Sequence, residues 1–385
     1  MHYYSHTDIN LKTTFKDALL ASLADDGGLW MPNVIPSFTD SELINLAAMN
    51  FSDCAAYLSK YFVGDQVNSK TLTKICHDAY DFELPIKTIL SDKQNPSVTS
   101  NNQDYILELF HGPTLAFKDF AARFMARCTS EILSKSLDTR TILVATSGDT
   151  GGAIGEAFLN QKNINVIILF PKNGVSKVQE QQLCTIGNSR SNIQAVKVDG
   201  TFDDCQQLVK DAFSNKSISK KFSLMSANSI NVGRVIPQSF YYLWSSLQVK
   251  ATNPNLPIVY SIPSGNLGNL TGGLIAKKMG ATEETLDFNQ KISELVYEVI
   301  KKEQPIDSLK VEIKNTLTNY KTELGSSPYS FYINDALIKQ LSDISENVFL
   351  NIEKSHKDSQ TLSDSDRQSV ITALGLSSDL EFDSL

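Results

Sequence analysis

The sequence has few cysteines, and they do not occur in pairs. Its 385 residues contain five cysteines, an odd number, and no C-x-x-C motif. None of them stands at metal-ligand spacing from a histidine. A disulfide framework needs paired cysteines, and a zinc site needs closely spaced cysteine or histidine ligands. We therefore expect neither disulfide bonds nor a bound metal, and we expect a reducing, cytoplasmic location.

Positive charge is also in short supply. Lys and Arg number 35 against 43 Asp and Glu, which gives a net charge of -8 and an isoelectric point near 5.3. No cluster of basic residues interrupts this balance. Proteins that bind nucleic acids present basic patches to the phosphates. The composition therefore argues against a nucleic-acid partner.

Long hydrophobic runs are missing as well. No segment approaches the roughly 18 consecutive apolar residues that a membrane helix needs. The first ten residues, MHYYSHTDIN, lack the basic region and the apolar run of a secretory signal. We expect a soluble protein without a membrane partner, and the sequence leaves its oligomeric state open.

The spacing of apolar residues changes along the chain. Up to about residue 95, apolar residues recur at helical spacing, as in CAAYLSKYF and LTKICHDAYDF. Short apolar runs then alternate with helix-like stretches: YILELF at 105–110, TILVAT at 141–146, NVIILF at 165–170, IQAVKV at 193–198 and PIVYSIP at 257–263. This alternation is typical of an α/β fold with parallel sheets flanked by helices.

These changes in apolar spacing suggest three domains. We predict a mainly helical N-terminal domain at 1–95 and an α/β body at 96–280. An atypical C-terminal region at 281–385 is expected to be mainly helical or partly mobile, because it contains both helical periods and polar stretches such as SHKDSQTLSDSDRQS.

A glycine-rich loop, SGDTGGAIGEAF, begins at Ser147 directly after one of the apolar runs. Its glycines let the backbone approach a ligand, and the following helix offers free N–H groups to an anion. A dinucleotide site is the obvious alternative, but no G-x-G-x-x-G motif is present and the next run ends in Pro171 and Lys172 instead of an acidic residue. Close packing of a helix on a strand would also explain these glycines.

A second loop, SANSINVGR, crowds Ser226, Asn228, Ser229, Asn231 and Arg234 before a helix. Capping of that helix would use one or two of these side chains. The remainder favours a surface for a polar ligand, although a turn-rich loop is the plainer alternative. The planar guanidinium of Arg234 suits a phosphate or a carboxylate.

A third loop, PSGNLGNLTGG, places Gly265, Asn266, Leu267, Gly268 and Asn269 between a predicted strand and a helix. Backbone amides and the helix dipole at such a point suit a dianionic phosphate. The G-x-x-x-x-G-K-[ST] motif of nucleoside-triphosphate sites is absent. The phosphate of a cofactor is therefore favoured over a nucleoside triphosphate.

A single lysine, Lys118, stands between Phe117 and Asp119 in FHGPTLAFKDF, at the entry of a helix predicted over 119–135. In isolation it would more commonly be a surface lysine with its stem on apolar groups. Beside a loop for a cofactor phosphate, it instead suggests a nucleophilic lysine that forms a Schiff base with pyridoxal phosphate.

Taken together, these blocks resemble those of the threonine synthase family. ELFHGPTLAFKDFAARFMA, ATSGDTGGAIGEAF, SANSINVGR and PSGNLGNLTGGLIAK follow the family's order and spacing, and DDGGLWMP resembles its N-terminal motif. The resemblance runs from residue 1 to about 280. It implies the fold-type-II architecture of pyridoxal-phosphate enzymes and a lyase that converts O-phosphohomoserine and water to threonine and phosphate.

The resemblance also implies roles for individual residues. The Schiff-base and catalytic lysine falls on Lys118, and the loop for the phosphate of pyridoxal 5'-phosphate falls on residues 265–269, with Leu267 where the family usually has phenylalanine. The substrate-binding blocks fall on Thr146, Ser147, Asp149 and Thr150, and on Ser226, Asn228, Ser229, Asn231 and Arg234.

After residue 280 the sequence departs from the family. The family's threonine that contacts the pyridine nitrogen, in a T-A-H-P-like motif, has no counterpart, because His356 stands in KSHKDSQ. A catalytically weakened relative that acts as a binding protein is therefore one alternative. Another fold-type-II lyase, such as a hydroxyamino-acid dehydratase, is a second, against which the SGDTG and SANSIN blocks argue.

Overall fold

The structure, a computed structural model, describes residues 2–89, 104–186, 191–254, 258–262, 267–281 and 306–324. The chain divides into two compact units, one formed by Met1–Leu256 and Ser261–Thr282 and the other by Pro257–Tyr260 and Glu283–Leu385. Lys118 and all three polar loops belong to the first unit. The division into domains at 95 and 280 stays a prediction.

The first part of the chain combines a small antiparallel sheet with helices. Its strands are β1 (Tyr3–Ser5), β2 (Lys12–Thr13) and β3 (Trp30–Pro32), in the order β2-β1-β3. Its helices are α1 (Phe15–Ala21), α2 (Asp40–Ala47), α3 (Phe51–Val63) and α4 (Ser69–Ala79). Each helix begins after a Thr or Asn whose side chain accepts a backbone N–H bond, namely Thr14, Thr39, Asn50 and Asn68.

The apolar run at 105–110 does form a strand, but this strand does not join the parallel sheet. β4 (Ile86–Ile89) and β5 (Asp104–Leu107) make a separate antiparallel pair. No residue of 105–107 is buried, and Ile106 is 46% exposed. Strands of a parallel sheet are covered by helices on both faces. The prediction that this run belongs to the parallel body is therefore wrong.

Three of the other predicted strands are confirmed and form the parallel sheet. β6 (Arg140–Ala145), β7 (Ile164–Pro171), β8 (Ile193–Val198) and a short β9 (Leu224–Met225) lie in the order β8-β7-β6-β9 and all run parallel. β9 is too short to be recognised in the sequence.

The predicted strand at 257–263 is not found where the structure describes it. Residues 258–262 have no strand conformation, and none of them is buried. An apolar run without a covered face gains little from joining a sheet.

Helices flank the sheet. They are α5 (Lys118–Leu133), α6 (Asp149–Phe158), α7 (Lys177–Ile186), α8 (Phe202–Ser214), α9 (Lys216–Phe222), α10 (Val232–Thr252) and α11 (Gly268–Lys278). α5 packs against α6 and α10, and α10 packs against α11. In the second unit, α12 (Ile306–Leu324) is the described helix. Within the described residues, no helix is both long and apolar enough to cross a membrane.

An aromatic cluster joins α5 to α10 and to the first part of the chain. Phe120 of α5 is fully buried, and its ring lies 5.1–5.9 Å from the rings of Phe51, Tyr80, Phe82 and Tyr241. The i, i+4 spacing that begins at Phe120 correctly predicts the buried face of α5. The start of α5 is therefore fixed by packing on several sides.

Phe120→Ala should lower the free energy of unfolding by about 3–5 kcal/mol, because it removes a fully buried ring and leaves a cavity. Leu137→Ala is the control, since Leu137 is fully exposed, and it should change stability by less than about 0.5 kcal/mol. Denaturant unfolding of both variants measures the difference. Equal unfolding midpoints would contradict the central position of Phe120.

Candidate active site

Lys118 is the first residue of α5. Its Nζ atom lies 3.2 Å from Oδ2 of Asp149 and 4.5 Å from the centre of the Phe117 ring. Its side chain is 21% exposed. Lys118 is thus neither a freely solvated surface lysine nor a fully buried one, and its amine has a single carboxylate beside it among the described residues.

Asp119 holds the loop that leads into Lys118. Its carboxylate is buried and accepts two bonds from Thr114, from the backbone N–H at 2.9 Å and from the hydroxyl at 2.6 Å. Gly112 lies so close that a Cβ there would meet Oδ2 of Asp119 at 2.5 Å. Burial raises the pKa of the Asp119 carboxyl, and the bonds from Thr114 partly oppose this. The sequence suggested only that Asp119 suits a first helical turn.

In the loop that precedes α6, Thr146 is buried and serves the loop itself. Its Oγ1 accepts bonds from the N–H groups of Gly148 and Gly151, at 3.0 and 2.9 Å. Gly148 has a φ of +143°, which a residue with a side chain rarely adopts. Ser147 and Asp149 are exposed, so the loop presents polar groups while Thr146 fixes its shape.

Gln179, which sequence reasoning missed, extends this arrangement. It lies in α7, and its Nε2 donates to Oδ1 of Asp149 at 2.6 Å. The other carboxylate oxygen of Asp149 accepts from Lys118. No motif in the sequence marks Gln179, because its place beside Asp149 arises from the packing of α7 on α6.

In the loop before α10, Asn231 is fully buried and joins two parts of the chain. Its Nδ2 donates to the carbonyls of Leu19 and Ser226 at 2.8 and 2.9 Å and to the hydroxyl of Ser22 at 3.1 Å. Its Oδ1 accepts from the N–H of Gly233 at 2.9 Å and so caps α10. The buried Ser226 donates its backbone N–H to the hydroxyl of Ser22, and its own Oγ accepts from the N–H of Asn228 at 3.2 Å. These side chains have their partners within the protein.

Arg234 is buried and only partly satisfied. Its Nη1 donates to the carbonyl of Ala227 at 2.6 Å, whereas its Nε has no partner within the described part of the chain. Burial lowers the pKa of Arg234 to about 10, and the nearby Tyr241 and Asp119 act in the opposite direction. The guanidinium therefore remains charged at neutral pH.

The start of α11 completes the cluster. Leu267 precedes the helix, and no side chain from the described residues caps it. The first N–H groups of a helix have no partner within the helix itself. A Cβ at Gly268 would meet Cβ of Ser229 at 2.8 Å, which brings the second and third polar loops into contact. Asn269 accepts bonds from the hydroxyls of Tyr241 and Tyr242. Gly265 and Asn266 lie outside the described residues.

Tyr241 contacts residues from three parts of the site: α5, the start of α10 and the start of α11. Its ring packs on Phe120, two residues after Lys118, its hydroxyl bonds to Asn269, and it interacts electrostatically with Arg234. The Arg234 guanidinium and the start of α11 therefore lie near this aromatic side chain, and Arg234 also interacts electrostatically with Asp119, the residue next to Lys118. A charged guanidinium and the N–H groups at a helix start are both groups that bind phosphate.

The chain is similar to known threonine synthases. Residues 2–80 match the family described as threonine synthase N terminus. Threonine synthase of Buchnera aphidicola subsp. Baizongia pistaciae is 42% identical over 270 residues, and that of Escherichia coli K12 is 39% identical over 280. These alignments cover 70% and 73% of this chain and 59% and 61% of the relatives. The chain thus spans about 60% of the length of these curated relatives.

A solved structure extends the match over more of the chain. The PLP-bound threonine synthase of Brucella melitensis has a TM-score of 0.66 and 30% identity, over 97% of this chain and 77% of that one. The fold is therefore the fold-type-II architecture of pyridoxal-phosphate enzymes, as the sequence predicts. The chain belongs to the threonine synthase family.

Comparing Asn231→Ala with Asn228→Ala should distinguish a side chain that stabilises the loop from one that lies at its surface. Asn231→Ala should destabilise the protein by about 2–3 kcal/mol, because buried partners lose their bonds. Asn228 is half-buried, and its side-chain amide makes no bond within the ranges the structure covers, so Asn228→Ala should cost less than about 0.5 kcal/mol. Urea unfolding measures both values, and a comparable loss in the two variants would contradict the assignment.

Proposed function

We propose that this chain is a threonine synthase that converts O-phosphohomoserine and water to threonine and phosphate. The observation that carries the proposal is the position of Lys118 at the start of α5, where its amine lies 3.2 Å from the Asp149 carboxylate and where the neighbouring Asp119 interacts with the buried Arg234. Membership of the threonine synthase family supports the substrate and the reaction.

The residues fit pyridoxal 5'-phosphate as cofactor. The first N–H groups of α11 would hold its phosphate, together with Gly265 and Asn266, which the family pattern assigns to the same loop. Gly268 must lack a side chain because Ser229 occupies the space beside it. Asn269 is held in place by two tyrosine hydroxyls. Lys118 would provide the covalent attachment.

The reaction divides between the cofactor and the protein. When bound, pyridoxal phosphate supplies an electron sink that makes the protons on the substrate's Cα and Cβ removable. Lys118 Nζ is the group that carries these protons, and Asp149 Oδ2, at 3.2 Å, is the nearest described acceptor for a proton on that amine. Phosphate leaves from Cγ of the substrate, and the oxygen of water ends on Cβ.

The substrate-binding residues fall into two groups. Ser147, Asp149 and Thr150 would contact the substrate from the first loop, and Asn228, Ser229 and Arg234 from the second. The charged guanidinium of Arg234 would face a substrate anion. Thr146, Ser226 and Asn231 bond within the protein, so we propose that they shape these loops instead of contacting the substrate themselves.

The expected location and partners are compatible with such an enzyme. We propose a cytoplasmic enzyme whose partner is its small-molecule substrate, without a metal, a nucleic acid or a membrane. The acidic charge balance supports the exclusion of nucleic acid.

Purified wild-type protein incubated with pyridoxal phosphate should show the visible absorbance of covalently attached cofactor, and Lys118→Ala should lose it. With O-phosphohomoserine, the wild type should release phosphate and threonine in equal amounts. Lys118→Ala should be slower by at least about a thousandfold, because it loses the proton-carrying amine along with the attachment point.

Lys135→Ala is a matched control, because Lys135 is more than half exposed and pairs only with Glu131 among the described residues. It should bind cofactor and turn over substrate like the wild type. A wild type that takes up no cofactor would contradict the proposal. Cofactor uptake without turnover would instead favour a binding protein, and ammonia release from a hydroxyamino acid would favour a dehydratase.

A further inference from the structure

Gln179 lies on the far side of Asp149 from Lys118. We propose that Gln179 is a positioning residue that holds the Asp149 carboxylate against the Lys118 amine. The role of this amine in catalysis rests on the proposed function, but the contact itself does not. Among the described contacts, Gln179 bonds to Asp149 and reaches Lys118 only through it.

The two oxygens of Asp149 are divided between two partners. Oδ2 accepts from Lys118 at 3.2 Å and Oδ1 accepts from Gln179 at 2.6 Å. The Asp149 side chain is 49% exposed. A half-exposed ion pair costs side-chain entropy and competes with water, so on its own it is weak. The second bond restricts the carboxylate to the orientation in which Oδ2 faces Lys118.

Gln179 is itself held so that its NH₂ group points at Asp149. Its Oε1 accepts from the N–H of Ser176 at 3.1 Å, and its own N–H donates to Oγ of Ser176 at 3.2 Å. This reciprocal pair is a capping box at the start of α7. Because Ser176 occupies the amide oxygen, the amide nitrogen is left for Asp149. The helix cap therefore sets the orientation of the amide.

Gly148 leaves room for the Gln179 side chain. A Cβ at position 148 would lie 2.4 Å from Nε2 of Gln179. Position 148 therefore favours glycine for two reasons: its φ of +143° and the close approach of the Gln179 side chain. Three consecutive contacts lead from the cap of α7 to the amine: Ser176 to Gln179, Gln179 to Asp149, and Asp149 to Lys118. Gly148 leaves the space that they need.

The consequence for Lys118 concerns its pairing. The oriented carboxylate keeps Oδ2 within hydrogen-bond distance of Nζ, so the amine is engaged and less open to a reagent. If Gln179 no longer holds the carboxylate, Asp149 turns toward water more often. Lys118 then spends more time as an unpaired, reactive amine.

The test uses the cofactor-free full chain, so it does not depend on turnover. Trinitrobenzenesulfonate labels neutral amines, and the rate of labelling at Lys118 is followed by peptide mass spectrometry at fixed pH. We expect Gln179→Met, which keeps the length of the side chain but removes the donor, to increase this rate about two- to fivefold. Gln181→Met is the matched control, since Gln181 is exposed on the same helix, and it should label like the wild type.

A double-mutant cycle with Asp149→Asn separates positioning from mere access of the reagent. Asp149→Asn alone should increase the labelling rate at least as much as Gln179→Met. Adding Gln179→Met to Asp149→Asn should then change the rate by less than about 1.5-fold, because the carboxylate through which Gln179 acts is gone.

Two results would overturn the inference. One is a Gln179→Met rate equal to that of Gln181→Met. The other is an undiminished Gln179→Met effect in the Asp149→Asn background, which would show that Gln179 only shields the amine. Wild-type protein that binds no pyridoxal phosphate would refute the proposed function while leaving this labelling result interpretable.

Discussion

The contact between Phe120 of α5 and Tyr241 of α10 is the one on which the arrangement of the site depends. It lies in a fully buried aromatic cluster that also includes rings from the first part of the chain. Because Lys118 stands two residues before Phe120, and because the Tyr241 hydroxyl bonds to Asn269, this contact sets the amine and the start of α11 relative to each other. Two helix starts that are far apart in sequence are thereby linked through one aromatic side chain.

Hydrogen bonding divides the buried polar residues of the site into two kinds. Asp119 and Asn231 are buried and use their hydrogen-bonding groups on the protein's own backbone. Arg234 is also buried, yet its Nε has no partner among the residues that the structure describes. A buried donor without a partner is costly, and such a group is commonly found where a ligand completes the bonding. Polar composition alone does not distinguish these cases, since both kinds occur in the same nine-residue block, SANSINVGR.

Much of the fold follows from local patterns. Period and length correctly identify β6, β7 and β8. β6 and β7 are apolar over most of their length because helices cover the sheet, whereas IQAVKV of β8 has a single buried residue, Ile193. The buried face of α5 follows from its i, i+4 spacing. The same reasoning misassigned the run at 105–110, since apolar residues also occur in a surface hairpin. Local patterns also failed to indicate β9, which has only two residues and forms a strand through its pairing with β6.

The sequence by itself determined the chemistry that the site can offer: Lys118 at a helix start, a glycine-rich strand-to-helix loop and Arg234, in an order shared with one enzyme family. These are local signals, carried by residue type and spacing within a few turns of chain. Only the tertiary structure decided which polar groups bond to the protein, as Asn231 does, and which lack a partner within the described ranges, as Arg234 Nε does. It also decided that Gln179 meets Asp149 and that Asp119 holds Thr114. Such contacts depend on how helices pack, and packing is set by the whole core.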